Sequence, residues 1–169
     1  MLNNSERREK TLEYMRSLSL PVRLHEHAAA FTMEEMNENA SELSEYGIVV
    51  KNLFLKEHNS DRYILVVADG EKRVDIKSIR HYLGIKPLSF ATEEQLEETL
   101  FVPGGSVTPL AVLFDEAHAV SVVIDDDLRT GGKMLGVHPC DNTATVFMTY
   151  AELEKFAESC GHTLINMQV

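Results

Sequence analysis

The chain has 169 residues, of which 44% are hydrophobic and 25% charged, and this composition is typical of one globular domain spanning residues 1–169. Its 27 acidic residues outnumber 16 basic ones, giving a formal net charge of -11, so general affinity for nucleic-acid phosphates is excluded and no DNA partner is expected. Since no apolar run is long enough to span a membrane and the N-terminus lacks a signal-peptide core, we expect a cytosolic protein without a membrane partner.

The N-terminal part of the chain predicts two helices and one short strand. Ser5 is expected to cap a helix that runs to Leu18, and Val22–Glu26 alternates like a strand. Thr32 and Glu35 have the spacing of a capping box, which opens a second helix towards Ser41.

The segment Gly47–Leu55 is nearly continuous in apolar residues and predicts a strand with both faces buried. Lys51 interrupts it, and the two-residue period of a strand places this lysine on one face with Val49, Leu53 and Leu55. A lysine among buried aliphatic residues requires an anion, a route to water or a lowered pKa. Two readings follow: an edge lysine that reaches solvent, or an ammonium at the mouth of a pocket that binds a carboxylate or phosphate.

The next segments alternate between strands and helices. Tyr63–Ala68 predicts a strand that forms a hairpin with the central one. Further strands are expected at Leu88–Phe90, Leu110–Phe114, Val120–Ile124, Thr143–Met148 and Thr163–Met167. Helices are predicted after the caps Asp75, Thr92 and Thr149, ending near Gly84, Leu100 and Ser159. The segment containing Gly131, Gly132 and Gly136 is expected to be irregular.

This order of elements predicts a mixed α/β or α+β single domain. We expect a mixed, largely antiparallel central β-sheet, or a partial barrel, flanked by helices.

Pro103–Pro109, with the sequence Pro-Gly-Gly-Ser-Val-Thr-Pro, is the most informative loop. Glycine allows backbone groups to approach a ligand closely, and proline restricts the conformations of the loop. The segment therefore predicts either a backbone-lined binding wall or an ordinary tight connection. It is not a phosphate-binding Walker loop, because no Gly-Lys-Ser/Thr follows.

A second polar turn contains His138, Pro139 and Asn142. His138 could bind a substrate oxygen or act as a plain hydrogen-bonding residue. Asn142 could orient a ligand or backbone group, or belong to an Asx turn with Asp141.

Catalytic side chains and metal ligands are scarce in the sequence. His25 and His27 share one strand face, and His138 and Cys140 repeat that spacing, but no third ligand has a convincing position, so we expect no metal. Cys140 and Cys160 are expected to be reduced thiols without an activating partner. An enzyme built on this chain would act by positioning and electrostatics.

The combination of Val50–Leu55, Gly105–Pro109 and the Val137-His-Pro turn with Asn142 resembles the YbaK-like aminoacyl-tRNA deacylase superfamily. The resemblance extends from Leu24 to His162. Within the superfamily, the chain is most similar to free-standing prolyl-tRNA-synthetase-associated proteins, which hydrolyse alanine mischarged onto tRNA(Pro). Cys140 departs from the family pattern, which has an aliphatic residue after His-Pro.

The resemblance implies a role for each matching residue. Lys51 is the essential lysine, near the terminal adenosine and its phosphate, and His138 and Asn142 support the pocket. The aminoacyl group is held by the loop residues Gly104, Gly105, Ser106, Val107, Thr108 and Pro109. No metal and no cofactor are implied, and the reaction uses a ribose hydroxyl of the substrate and a water molecule.

The resemblance also implies the partner, the 3′ end of mischarged tRNA(Pro), and leaves open a requirement for prolyl-tRNA synthetase or another translation factor. Two alternatives to alanine editing remain at this point. One is removal of cysteine from the same tRNA, and the other is a non-catalytic regulatory module that binds a small molecule or nucleotide.

Overall fold

The computed structural model describes residues 1–169, apart from the side chain of Met33. Its strands are β1 (Arg23–Glu26), β2 (Ile48–Glu57), β3 (Tyr63–Asp69), β4 (Leu88–Phe90), β5 (Val120–Asp125), β6 (Leu135–Val137), β7 (Ala144–Met148) and β8 (Leu164–Met167). Its helices are α1 (Asn4–Ser17), α2 (Met33–Leu43), α3 (Ile76–Leu83), α4 (Glu93–Leu100), α5 (Asp126–Thr130) and α6 (Tyr150–Ser159), with a 3₁₀ helix at Pro109–Phe114. In the part of the chain described here, no helix is both long and apolar enough to cross a bilayer.

The strands form one open mixed sheet in the order β1-β7-β6-β2-β3-β5-β8, with β4 also paired to β2. The pairs β2–β6, β3–β5 and β5–β8 are parallel, and the other pairs are antiparallel. The predicted mixed α/β class and the hairpin of β2 with β3 are thus confirmed, and of the two forms expected for the sheet the open one is correct.

Strand β2 lies between two hydrophobic cores, as its apolar sequence predicts. Val50 and Phe54 pack into a core that contains buried residues of α1, α4, α6 and the 3₁₀ helix. Leu55 belongs to the core on the other face, with Ile79 of α3 and Met167 of β8. Successive side chains of a strand point to opposite faces, so one strand can serve both layers.

Strand β2 also has a gap on one edge. Ile48 and Val49 pair with β6, and Leu55–Glu57 pair with β4 on the same side. No described strand pairs with residues 50–54 on that edge. On the opposite edge, β3 pairs with β2 from Val50 to Lys56. This interruption leaves room for loops beside Lys51 and Asn52.

The structure corrects the start of the first helix. The N-cap is Asn3 and not Ser5, since Asn3 Oδ1 accepts the Glu6 amide at 3.0 Å while Glu6 Oε2 accepts the Asn3 amide at 2.8 Å. Reciprocal capping satisfies two amides at once, which a serine cap without an acidic partner does not.

The predicted strand Leu110–Phe114 is wrong, because this segment belongs to the 3₁₀ helix. Pro109 occupies the first turn, where its missing N–H costs nothing, and Thr108 Oγ1 accepts the Leu110 amide. A short apolar run has the same sequence signature in a buried strand and a buried helical turn, so its periodicity could not decide between them.

The segment expected to be irregular, residues 131–136, follows α5 and is irregular up to Met134, but β6 begins at Leu135. Gly136 lies within β6, and an ideal Cβ at this position would be 2.9 Å from the ring of Phe147. The glycine therefore marks a close approach of two strands and not a break in the sheet.

Candidate functional site

Asn52 connects the gap in β2 to the loop Pro103–Pro109, which we call the glycine loop. Asn52 Nδ2 donates a hydrogen bond to the carbonyl oxygen of Val107 at 3.0 Å. Asn52 Oδ1 is buried and has no hydrogen-bond partner, unlike every other buried polar side-chain atom of the described residues. The sequence did not identify Asn52 as a site residue, although an amide in a largely apolar strand is an available signal.

Three further hydrogen bonds fix the glycine loop. Glu93 Oε1 of α4 accepts the Gly104 amide at 3.2 Å, and the Pro103 carbonyl accepts the Ser106 amide at 3.1 Å. Thr108 Oγ1 donates to the carbonyl of His138 at 2.7 Å. The loop is therefore held by α4 at one end and by the histidine turn (His138–Thr143) at the other.

The middle of the glycine loop presents backbone donors. Gly105 adopts φ +81°, a left-handed conformation that a side chain disfavours. Gly105 is exposed and Val107 half-buried, and the amides of both donate to no acceptor within the described part of the chain. Two backbone N–H groups without an internal acceptor, on a restrained loop, are suited to bind a carbonyl or an oxyanion.

His138 is held in one tautomer beside this loop. Its Nδ1 lies 2.9 Å from the Ala144 carbonyl oxygen, which can only accept, so Nδ1 carries the proton and Nε2 has a free lone pair. Burial lowers the pKa of His138 despite the opposing hydrogen bond to Ala144, and nearby His27 lowers it further. The imidazole is therefore neutral at pH 7 and can accept a proton or a hydrogen bond through Nε2.

Asn142 lies next to the glycine loop, with its Nδ2 4.0 Å from the position that a Cβ on Gly105 would take. Asp141 forms the Asx turn considered from the sequence, because its carboxylate accepts both the amide and the hydroxyl of Thr143. Burial raises the pKa of the Cys140 thiol to about 12, so this thiol is not a nucleophile at neutral pH.

Lys51 makes no side-chain hydrogen bond to the glycine loop among the described residues. Strand alternation places it on the opposite face of β2 from Asn52, and its ammonium donates to the backbone carbonyl of Lys72. Lys51 is half-buried. This exposure agrees both with a lysine that reaches solvent at a strand edge and with an ammonium at the mouth of a pocket. The structure thus brings together the loop, His138 and Asn142, and leaves Lys51, the residue before Asn52, on the opposite face of β2.

The histidines considered as metal ligands have other contacts. His27 is hydrogen-bonded through Nδ1 to the Ala28 carbonyl and through Nε2 to the Thr145 hydroxyl, each at 2.9 Å. The ring of His25 packs against Tyr46, with 4.0 Å between centroids. In the described residues, no group of three histidine, cysteine, aspartate or glutamate side chains is arranged to hold a metal ion.

The fold and the site together define an α/β domain that presents backbone donors and a neutral imidazole beside an interrupted strand. The family model of the aminoacyl-tRNA editing domain matches residues 27–156. The chain belongs to this family, and it is therefore an enzyme of the aminoacyl-tRNA hydrolase class.

Relatives over nearly the whole chain agree with this assignment. The prolyl-tRNA editing protein ProX of Acetoanaerobium sticklandii is 40% identical over 146 residues, which cover 86% of this chain and 87% of ProX. A prolyl-tRNA synthetase associated domain-containing protein 1 of Danio rerio is 37% identical, covering 92% of this chain and 84% of the relative.

A solved structure of a candidate trans-editing enzyme for prolyl-tRNA synthetase superposes with a TM-score of 0.71 at 21% identity, covering 100% of this chain and 99% of that one. This likeness concerns the fold. The family predicted from the sequence is confirmed by the family model and by the relatives together.

Proposed function

We propose that this protein hydrolyses the ester bond of alanine mischarged onto tRNA(Pro), acting on the released aminoacyl-tRNA. The observation that carries the proposal is the pair of unpaired backbone amides at Gly105 and Val107, held beside the neutral imidazole of His138. The names of the relatives, a prolyl-tRNA editing protein and prolyl-tRNA synthetase associated proteins, support tRNA(Pro) as the substrate.

The proposed reaction needs no side-chain nucleophile. Water attacks the aminoacyl carbonyl carbon, and the Gly105 and Val107 amides stabilise the oxyanion that develops on the carbonyl oxygen. His138 Nε2 accepts a hydrogen bond from the attacking water or from the free ribose hydroxyl. The ester C–O bond then breaks, the ribose oxygen takes up a proton, and alanine and tRNA leave.

Lys51 is the proposed cation for the phosphate of the terminal nucleotide. Its ammonium has a backbone carbonyl as partner, whereas the ammonium of neighbouring Lys72 is already paired with the carboxylates of Asp125 and Asp127. Binding a phosphate requires the Lys51 side chain to leave the Lys72 carbonyl and reach the gap in β2. A positive group in a partly desolvated position would focus an anionic substrate on a protein whose net charge is -11.

We propose alanine over proline because the small side chain fits where the proline ring would overlap with the walls of the site. A synthetase pocket that accommodates proline cannot strongly reject a smaller amino acid, and a second, smaller site corrects this error. Removal of cysteine from tRNA(Pro) is the nearest alternative, since its side chain is only slightly larger than that of alanine. A non-catalytic binding module on the same fold is the other.

The test is deacylation of tRNA(Pro) charged separately with alanine, cysteine or proline, by the wild-type protein and by Lys51→Ala. We expect rapid loss of alanine, no loss of proline, and a large reduction in Lys51→Ala with an unchanged melting temperature. Loss of cysteine in place of alanine would change the substrate and keep the site. Absence of hydrolysis with all three substrates would refute the proposed function and favour a binding module.

Lys51→Ala also tests the role of the lysine by itself. If this variant unfolds or melts far below the wild type, the lysine is structural and its assignment to the site is wrong. Lys56→Ala is the matched control, because Lys56 lies in the same strand and its ammonium also donates to a backbone carbonyl, that of Ser60. We expect this control to retain activity.

A further inference from the structure

We infer that Asn52 is a positioning residue that holds the glycine loop in its active conformation through the Val107 carbonyl. The inference rests on the proposed function, because it adds a residue to the same site. No side chain other than that of Asn52 connects β2 to this loop by a hydrogen bond among the described residues.

The orientation of the Asn52 amide is set by its neighbour. A carbonyl oxygen can only accept, so the group that faces Val107 at 3.0 Å must be the NH₂ of Asn52. The side-chain oxygen of Asn52 is then directed into the protein, where it has no partner. A buried acceptor without a donor is unfavourable for folding.

Because the buried Asn52 oxygen costs stability, the amide at position 52 requires another explanation than stability. An apolar residue here would leave no unsatisfied oxygen inside the protein and would suit the core formed by Val50 and Phe54 on the same face of β2. The one stabilising hydrogen bond that Asn52 makes is the bond to the glycine loop. We conclude that Asn52 contributes to the geometry of the loop and little to the stability of the fold.

The Val107 carbonyl matters because the Val107 amide, one of the two unpaired donors, is bonded to the same Cα atom. A restraint on the carbonyl therefore also restrains the amide. With the carbonyl fixed by Asn52 and the next residue fixed by the bond from Thr108 Oγ1 to His138, the Val107 amide has a restricted direction. The glycine at position 105 supplies no such restraint, since it can adopt many backbone conformations. Without Asn52 the Val107 peptide would lose its restraint from β2, and the Val107 amide would be free to change direction relative to the Gly105 amide.

The test exploits the chemistry of Asn52→Asp. In its ionised form the new carboxylate has no donor and repels the Val107 carbonyl, but in its protonated form it regains one O–H donor. Burial raises the pKa of such a carboxyl group, so protonation falls within an accessible pH range. We expect Asn52→Asp to deacylate about tenfold more slowly than the wild type at pH 7.5, and to approach the wild-type rate at pH 5.5 when both are compared at the same pH.

Two further variants serve as controls. Asn52→Ala should be slower than the wild type by a similar factor at both pH values, with a melting temperature close to that of the wild type. Asn59→Asp makes the same chemical change at an exposed turn and should match the wild type throughout. Wild-type rates in Asn52→Ala, or no recovery of Asn52→Asp in acid, would overturn the inference.

A second readout does not depend on activity. The ¹³C shift of the Val107 carbonyl reports the hydrogen bond that it accepts, and it should change in Asn52→Ala and in Asn52→Asp at pH 7.5, then return towards the wild-type value in Asn52→Asp at pH 5.5. If the wild type hydrolyses none of the substrates, the proposed function fails while this measurement still tests the contact. An unchanged carbonyl shift in Asn52→Ala refutes the inference whatever the activity.

Discussion

His138 is kept neutral by its surroundings, and this has a consequence for stability. Burial lowers its pKa in the folded protein below the ordinary value of about 6.5 that it keeps in the unfolded chain. At pH values between these two pKa values, His138 binds a proton in the unfolded chain but not in the folded protein. Stability contributed by His138 is therefore complete above pH 6.5 and is lost as the pH falls towards the folded pKa.

We predict that His138→Gln reduces this loss. Glutamine retains an amide donor for the Ala144 carbonyl and has no proton to gain, so its free energy of unfolding should fall less than that of the wild type between pH 7.5 and 5.5. We expect the wild type to lose more free energy of unfolding than His138→Gln over this pH range, because the lowered pKa of His138 makes its protonation oppose folding. Urea unfolding at the two pH values measures it, and equal losses in both proteins would show that His138 titrates normally.

His138→Gln should also slow deacylation at neutral pH. The glutamine side chain has no imidazole lone pair at the position of Nε2, so the water or ribose hydroxyl would lose its acceptor. General acid–base groups contribute factors of about 10² to 10⁴, and we expect a loss within this range for the proposed substrate. An active His138→Gln variant would restrict His138 to a structural role.

At the scale of elements, Thr108 joins the glycine loop to the histidine turn and also starts the 3₁₀ helix. Its hydroxyl donates to the His138 carbonyl and accepts the Leu110 amide, and the residue is fully buried. One side chain thus sets the distance between two parts of the site that are far apart in sequence.

We predict that Thr108→Val destabilises the protein by about 1–3 kcal/mol, because the His138 carbonyl and the Leu110 amide both lose a partner in a buried position. Thr108→Ser keeps the hydroxyl and removes only one methyl group, so it should retain most of the activity. Thermal unfolding and deacylation of both variants provide the comparison. Equal activity of Thr108→Val and Thr108→Ser would mean that the link to His138 is dispensable.

At the scale of the whole molecule, Lys72 connects Lys51 of β2 with Asp125 of β5 and Asp127 of α5. Its ammonium lies 2.8 Å and 2.9 Å from the two carboxylate oxygens of fully buried Asp125, and 3.0 Å from Asp127. Desolvation lowers the pKa of Lys72, but the bonds to both carboxylates outweigh it and raise the pKa overall. Its backbone carbonyl meanwhile accepts the ammonium of Lys51.

We predict that Lys72→Met lowers the free energy of unfolding by about 3 kcal/mol, since it leaves the Asp125 carboxylate buried without its cation. Asp127→Asn is the control, because Asp127 is 60% exposed and its pair with Lys72 should contribute less than about 1 kcal/mol. Urea unfolding of both variants at pH 7 measures the difference. A similar small effect in both would mean that the pair of Lys72 with buried Asp125 contributes little to stability.

Local patterns in the sequence predicted many of the elements correctly. Thr32, Thr92 and Thr149 open helices through capping boxes whose partners lie three residues away. The apolar runs of β2 and β3 predicted a hairpin, and Gly84 ends α3 in a left-handed conformation. Each of these features depends on neighbours within a few residues, so each is visible without knowledge of the fold.

Other features depend on distant partners. The apolar segment after Pro109 forms a 3₁₀ helix, and Gly136 lies in a strand because it packs against Phe147. The importance of Asn52 could not be predicted either, since its partner Val107 is 55 positions further along the chain. Short segments have nearly equal local preferences for several conformations, and contacts made only after folding choose among them.

The sequence by itself determined the family, the fold class, and the loop and turn that the structure places together, because these depend on composition, short-range spacing and recognisable motifs. Tertiary structure alone decided which backbone amides remain free, which tautomer His138 adopts and which face of β2 each of Lys51 and Asn52 occupies relative to the loop. The physical reason is that hydrogen bonds and burial are properties of pairs of groups, and the chain brings most of these pairs together only when the sheet has formed.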